Sequence, residues 1–281
     1  MITCNNHITF DVGGGALNTA VAFSRLGLKA GCVVALGNDE SKEIVMRRID
    51  REKVDFLGQV KEGDTGYSII LTTQGERTIL VYKGVNSELD FNKRDFENIN
   101  AGYFYFSTMT GKSFDSLSNA AEYCQGKGAG YTFNPSMYVA EKGMKYLRAI
   151  LQGCDVIILN KEESFALTKK HDVDHALKML KENIRKDGVV VITDGANGAY
   201  SYDGSYKYYI KPRKVKVVET TGAGDAFASG FVYGRINKAD IETCMSYGLQ
   251  ESESVIQAIG AQTNLLRGFS NVRYKIKKNK L

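Results

Sequence analysis

In the stretch ETTGAGDAFASGF, residues 219 to 231, three small residues stand between a pair of threonines and Asp225, and an apolar run follows. A turn built on Gly222 and Gly224 can take backbone conformations that other residues resist, and the first N–H groups of a helix lack intrahelical partners, so they attract anions. Asp225 at such a helix start can accept a proton from a substrate hydroxyl while the neighbouring N–H groups hold charge on a transferring phosphoryl group. Aspartate is also a preferred helix cap, and this loop alone supports capping and catalysis about equally. A second glycine-rich turn, DVGGGALNTAVAFSRLG (11–27), leads into an apolar-periodic stretch with Asn18 in its first turn. Neither turn has the Walker A spacing, and the first lacks G-x-G-x-x-G.

Turns of this kind need strands and helices to hold them. The short runs GCVVAL (31–36), GYFYF (102–106), AGYTFN (129–134), DVIILN (155–160) and GVVVIT (188–193) are rich in β-branched and aromatic residues, as strands covered on both faces should be. Between them lie the helical patterns SKEIVMRRIDREKV, SFDSLSNAAEYCQGKG, EKGMKYLRAILQGC and VDHALKMLKENIRKDG. The alternation predicts an α/β fold with a doubly wound, mostly parallel sheet flanked by helices. Ligands of such sheets bind outside the carboxyl ends of the strands, which is where both glycine turns fall. The second turn is expected to follow a strand over VKVVE (215–219). Residues 65–83 break the rhythm as two strands around a Q-G-E-R turn, predicting a hairpin that stands off the main sheet; residues 198–210 predict another antiparallel pair, turning at Asp203-Gly204.

The chain has 281 residues, 43% hydrophobic and 25% charged, with no linker or repeat, so a single domain over 1–281 is expected. It carries no run of about 18 apolar residues and no signal-like N-terminus, which predicts a soluble, cytoplasmic protein without a membrane partner. Five scattered cysteines, with no C-x-x-C, read as reduced packing residues. The net charge of +5 concentrates in the terminal RYKIKKNKL, which reads as a solvated strand or tail and not as a nucleic-acid site, since it lacks aromatic interleaving. His171 and His175 stand at i, i+4 spacing but have no third ligand near in sequence, so a solvated pair is expected.

The two glycine signatures, with KGVNSEL (83–89), NPS (134–136), NKEE (160–163), VVVITDGANGAY (189–200) and IGAQ (259–262) in order between and after them, resemble the ribokinase or PfkB family of carbohydrate kinases over nearly the whole chain. The resemblance implies a ribokinase-like fold with a small β lid, and magnesium-dependent transfer of the ATP γ-phosphate to a hydroxymethyl group of a small sugar, or of a nucleoside. It implies Asp225 as the catalytic base and Gly222, Ala223 and Gly224 as the anion hole. Gly14, Gly15 and Asn18 match sugar-pocket positions, where an amide offers donors and an acceptor to vicinal hydroxyls. Asn86 belongs to a segment that contacts substrate in some relatives. Asn160 and Glu163 match an N-x-x-E element acting on phosphate and magnesium, although acidic residues are favoured at a helix start anyway. Thr193, Gly195 and Gly198 match the stretch beside the nucleotide. Glu219 stands where the family usually has Asp near a monovalent-cation site, so activation by such a cation stays open but is disfavoured; Lys42 and Ala16 each stand where a glycine is usual. Relatives begin with a strand ending in an Asp; here twelve residues precede Gly13, so 2–12 is expected to give a lid strand, with Asp11 or Asn6 reaching the pocket. Arg77, at the hairpin turn, is a candidate contact for an acidic group or simply exposed. The lid over 65–83 implies a homodimer made by lid pairing. Two other classes stay open: a ligand-binding relative impaired as a catalyst, and a nicotinamide oxidoreductase, the latter weakened by the glycine spacing.

Overall fold

The computed structural model describes residues 9–73 and 76–281. The chain opens with α1 (Gly15–Arg25), then β1 (Gly31–Cys32), β2 (Ala35–Gly37), α2 (Glu40–Arg51), β3 (Asp55–Phe56) and β4 (Gln59–Lys61). A hairpin follows, β5 (Tyr67–Thr73) and β6 (Glu76–Tyr82), then α3 (Lys93–Glu97), β7 (Tyr103–Phe106), α4 (Lys112–Lys127), β8 (Gly130–Phe133), α5 (Met137–Ala140), α6 (Met144–Leu151) and β9 (Val156–Asn160). The rest is α7 (Lys161–Thr168), α8 (Val173–Asn183), β10 (Val189–Thr193), β11 (Ala199–Tyr202), β12 (Tyr206–Ile210), α9 (Ala223–Ile236), α10 (Ile241–Val255) and β13 (Ile276–Lys280).

The main sheet runs in the order β13-β12-β11-β10-β9-β8-β7. Strands β7 to β10 are parallel, and β10 to β13 are antiparallel. Period-two alternation feeds two helical layers. Ile157, Leu159, Val190 and Ile192 pack on one face with Leu117, Ala121, Leu147 and Leu177. Val156, Ile158, Val189 and Val191 pack on the other with Phe227, Phe231, Met245 and Leu249. That two-sided cover is why these strands read as continuous apolar runs. Short parallel ladders β1–β3 and β2–β4 stand apart from this sheet, near a third cluster built on Leu17, Val21, Cys32, Ile49 and Ala226. The exposed edge at β13 carries Lys277, Lys278 and Lys280, and charge on an edge strand discourages pairing with another chain.

The hairpin β5–β6 forms its own sheet, as expected. Tyr67, Ile69, Ile70, Leu71, Ile79, Leu80, Val81 and Tyr82 are all exposed, so among the described residues neither face is covered by another element. The segment 215–219 is not a strand: Val217 and Val218 are exposed, and the N–H groups of Val218 and Glu219 both donate to the Ile256 carbonyl. Its partner is a turn, so β propensity had no ladder to join. GCVVAL breaks into β1 and β2 because it pairs with two separate short strands. Residues 9–12 form no strand, and the remainder of the expected lid strand, with Asn6 and Cys4, lies outside the described residues, as does the side chain of Arg77. Cys32, Cys124, Cys154 and Cys244 are buried and free, as packing residues should be. His171 precedes α8 and shares no helix face with His175, which is exposed and pairs with Asp172, the α8 cap, at 2.6 Å. Among the described residues no helix is long and apolar enough to cross a membrane.

Glu251 on α10 is fully buried; its Oε1 accepts from the Leu266 amide at 3.0 Å, while its Oε2 has no hydrogen-bond partner among the described residues. Burial pushes this carboxyl up to about 7, above its ordinary range. Between about pH 4.5 and about pH 7 the folded state therefore holds a proton that the unfolded chain has released, so stability falls as pH rises through that window. Glu251→Gln should remove roughly 1–3 kcal/mol of this dependence. Urea denaturation at pH 5 and pH 8 checks it: equal pH dependence in the two proteins would overturn the assignment.

Candidate active site

The carboxyl ends of β7 to β10 point to one edge, where Asn160 and Thr193 end their strands as register partners and Ser107 and Asn134 follow theirs. Two helix starts converge there. α1 begins after Gly14, whose φ of 94° is in the region that favours glycine. α9 begins after Gly222, with φ of 78°. A Cβ on Gly15 would meet the Ser107 hydroxyl and come within 3.4 Å of Asp225 Oδ1, so the glycine lets α1 approach the carboxylate.

Asp225 occupies the first turn of α9, but Gly222 is the cap residue there, and no side-chain bond caps this helix. The carboxylate is instead turned across the molecule, where its Oδ2 accepts from Asn18 Nδ2 at 2.8 Å. Burial raises its proton affinity above the ordinary carboxylate range, and the Asn18 bond opposes that rise. The expectation that Asn18 offers its whole amide to a ligand needs correction. Its Oδ1 accepts from Gln262 Nε2 at 3.0 Å, leaving one N–H outside these two bonds.

The loop 217–222 is clamped to the turn 256–263. Glu219 accepts from the Thr221 hydroxyl at 2.5 Å and from the Gly260 amide at 2.9 Å. A Cβ on Gly222 would sit 2.6 Å from that of Ala261. Gly224 is exposed and, the adjacent chain aside, no atom of the described residues lies within 4 Å of a Cβ built at Gly224, Gly13 or Gly14. The Ala223 amide donates to the Thr220 carbonyl at 3.2 Å, so the turn itself engages one of the expected anion donors.

Asn160 and Glu163 form a reciprocal capping box at the start of α7, with bonds of 2.8 and 2.9 Å. Glu163 is half-buried, and burial raises its proton affinity, with Asp225 contributing to the rise. Thr193 Oγ1 reaches the Leu159 carbonyl only at 3.4 Å. Gly195 and Gly198 frame a 3-10 turn between β10 and β11, with φ of 51° and 106°, and a Cβ on Gly198 would strike the Ile210 carbonyl. Asn86 stands in a 3-10 turn at the foot of the hairpin, beside Gly66. Asp11 pairs with Arg48 at 2.6 Å.

Neither type nor spacing assigns a role to Tyr105, Ser107, Arg48 or Gln262. Tyr105 on β7 is a buried hydroxyl without a partner among the described residues, and it senses the charges of Asp225 and Glu163. Gln262 lay within the IGAQ landmark; nothing in the spacing marked Arg48.

Residues 3–267 match the pfkB family carbohydrate kinase profile. The chain is 29% identical over 252 residues to an uncharacterised sugar kinase of Archaeoglobus fulgidus, covering 88% of this chain and 99% of that one. It is 29% identical to a cytidine kinase of Thermococcus kodakarensis, covering 88% of each. The crystal structure of a probable sugar kinase from Rhizobium etli superposes with a TM-score of 0.80 at 26% identity, over 90% of this chain and 80% of that one.

The two glycines of the α9 turn, Gly222 and Gly224, should respond differently to a methyl group. Gly222→Ala combines a positive φ with the Ala261 clash and should cost about 1–3 kcal/mol. Gly224→Ala lies in a helical turn with free space and should be neutral or stabilising by up to about 1 kcal/mol. Thermal denaturation of both variants checks this, and equal losses would contradict the loop geometry.

Proposed function

The chain belongs to the pfkB family of carbohydrate kinases, and we propose that it moves the γ-phosphate of ATP to a hydroxymethyl group of a small sugar, with Asp225 as general base and the turn Gly222 to Gly224 as anion hole. The observation that carries this reading is the turning of Asp225 away from its own helix, towards the start of α1. A carboxylate spent on capping would not be placed so.

Phosphoryl transfer has a loose transition state, so positioning and charge stabilisation supply most of the rate. The acceptor lies between the two glycine turns, with Gly14, Gly15 and the spare N–H of Asn18 as its contacts and Asn86 at the margin. Asp225 takes the hydroxyl proton. The first-turn amides of α9 receive the phosphoryl oxygens, with the main share on Gly224 and Asp225, because Ala223 already serves the Thr220 carbonyl. Thr193, Gly195 and Gly198 border the nucleotide. Bound magnesium would neutralise phosphate charge. Such an ion keeps several waters and needs one or two carboxylates. Glu163 fits that demand: the capping box and the Met137 amide use two of its about four acceptor positions. Among the described residues there is no cluster of three or more metal-ligating side chains, in keeping with a metal held mainly by phosphates. Glu219 already accepts from Thr221 within its own loop and from Gly260 of the facing turn, so the reading includes no monovalent cation.

The hairpin β5–β6 is the lid. One face covers the acceptor and excludes water that would compete for the phosphoryl group, and the remaining apolar surface pairs with the lid of a second copy. A nucleoside acceptor is the second reading, favoured by the similarity to a cytidine kinase. Thermal-shift and turnover measurements with ATP and ribose, fructose, 2-keto-3-deoxygluconate or cytidine separate the two.

Asp225→Asn should lower turnover by about 100-fold or more while changing ATP affinity less than about threefold. Near wild-type turnover would sink the assignment. Turnover should also fall on the acid side at a pH above the ordinary carboxylate range, because burial raises the proton affinity of Asp225 and only its ionised form accepts a proton. For the lid, sedimentation of Leu80→Glu should give a monomer where the parent gives a dimer; a monomeric parent would rule the pairing out.

A further inference from the structure

Asp225 stands at the end of a line of four side chains. Arg48 Nη1 donates to Gln262 Oε1 at 2.9 Å, Gln262 Nε2 donates to Asn18 Oδ1 at 3.0 Å, and Asn18 Nδ2 donates to Asp225 Oδ2 at 2.8 Å. The line joins α2, the turn after α10, α1 and α9. Gln262 is fully buried and Asn18 is 6% exposed, so water does not serve these groups in place of one another. Arg48 is itself held by Asp11 at 2.6 Å, and the Gln262 carbonyl by Arg25 Nη1 at 2.8 Å.

The direction of the line is fixed at one end. A guanidinium has donors only, so Gln262 must turn its oxygen to Arg48 and its NH2 to Asn18. Asn18 must then turn its oxygen to Gln262 and its NH2 to Asp225. We propose that Gln262 and Arg48 are positioning residues that lock the Asn18 amide with its N–H on Asp225, so that every bond in the line donates towards the base and favours its ionised form. Each amide has two orientations when free, and the wrong one would set a carbonyl against the carboxylate. The line therefore offsets part of the burial that favours protonation. The other groups facing Asp225 do not do this: the Tyr105 hydroxyl on β7 is neutral, and Glu163 on α7 is a carboxyl of like charge. This inference rests on the reading of Asp225 as the base, but its test does not depend on turnover.

The test uses the full chain with 13C-labelled aspartate, the Asp225 carboxyl resonance being assigned by its loss in Asp225→Asn. Gln262→Met removes only dipoles and keeps the volume. It should raise the Asp225 titration midpoint by about half a unit to one unit, a three- to tenfold gain in proton affinity. Arg48→Met should raise the midpoint in the parent but have much less effect in the Gln262→Met background, because the line is already broken. An unchanged midpoint in Gln262→Met, or additive shifts, would overturn the proposal, the latter because a through-space charge effect of Arg48 adds in either background. If Gln262→Met does not fold, Arg48→Met alone decides: a shift that persists in about 1 M KCl supports the line, and a shift lost to screening or absent refutes it. Near wild-type turnover in Asp225→Asn would instead remove the base reading and leave the midpoint result standing.

Discussion

The hydrogen bond from Asn18 to Asp225 spans 207 positions of sequence and holds the first turns of α1 and α9 together. Both helices start after a glycine at positive φ, and both present unsatisfied N–H groups to the same space. Two such ends repel one another electrostatically unless something negative lies between them. Asp225 supplies that charge when ionised, and in the proposed reaction a transferring phosphoryl group would add to it. The surrounding fold follows from this requirement: the sheet delivers Ser107, Asn160 and Thr193 to the same edge, while the Glu219 bridge and the contact between Gly222 and Ala261 fix the α9 turn.

Much of the scaffold was legible because its signals are local. The runs DVIILN and GVVVIT became β9 and β10 with bounds within a residue of their apolar stretches, since burial on both faces leaves no polar position to blur the ends. VKVVE misled because β-branched residues record local stiffness and not the presence of a neighbouring strand. The break of GCVVAL into β1 and β2 likewise depends on two partners that come later in the chain.

The site was legible to a different depth at each residue. Asp225 could be named but not its orientation, because capping and catalysis ask for the same residue at the same place. Asn160 and Glu163 do form the capping box that any helix start would welcome, so their type and spacing alone do not separate a structural role from a chemical one. Arg48 was invisible: it sits in an amphipathic helix rich in charge, and only the tertiary fold sets its guanidinium against Gln262. Long-range polar contacts have no period, and sequence patterning reads periods.

A line of contacts that passes through two side-chain amides also has a lifetime set by covalent chemistry. Slow hydrolysis of Asn18 or Gln262 to the acid would substitute an oxygen for the nitrogen that must donate, and the defect would arise without any unfolding. The surroundings of the pair oppose that ageing. Both residues are shielded from water, and Asn18 lies within a regular helix whose hydrogen-bonded backbone resists the bending that self-attack on the amide requires. Burial here protects the chemical identity of the residues as much as it shapes their contacts.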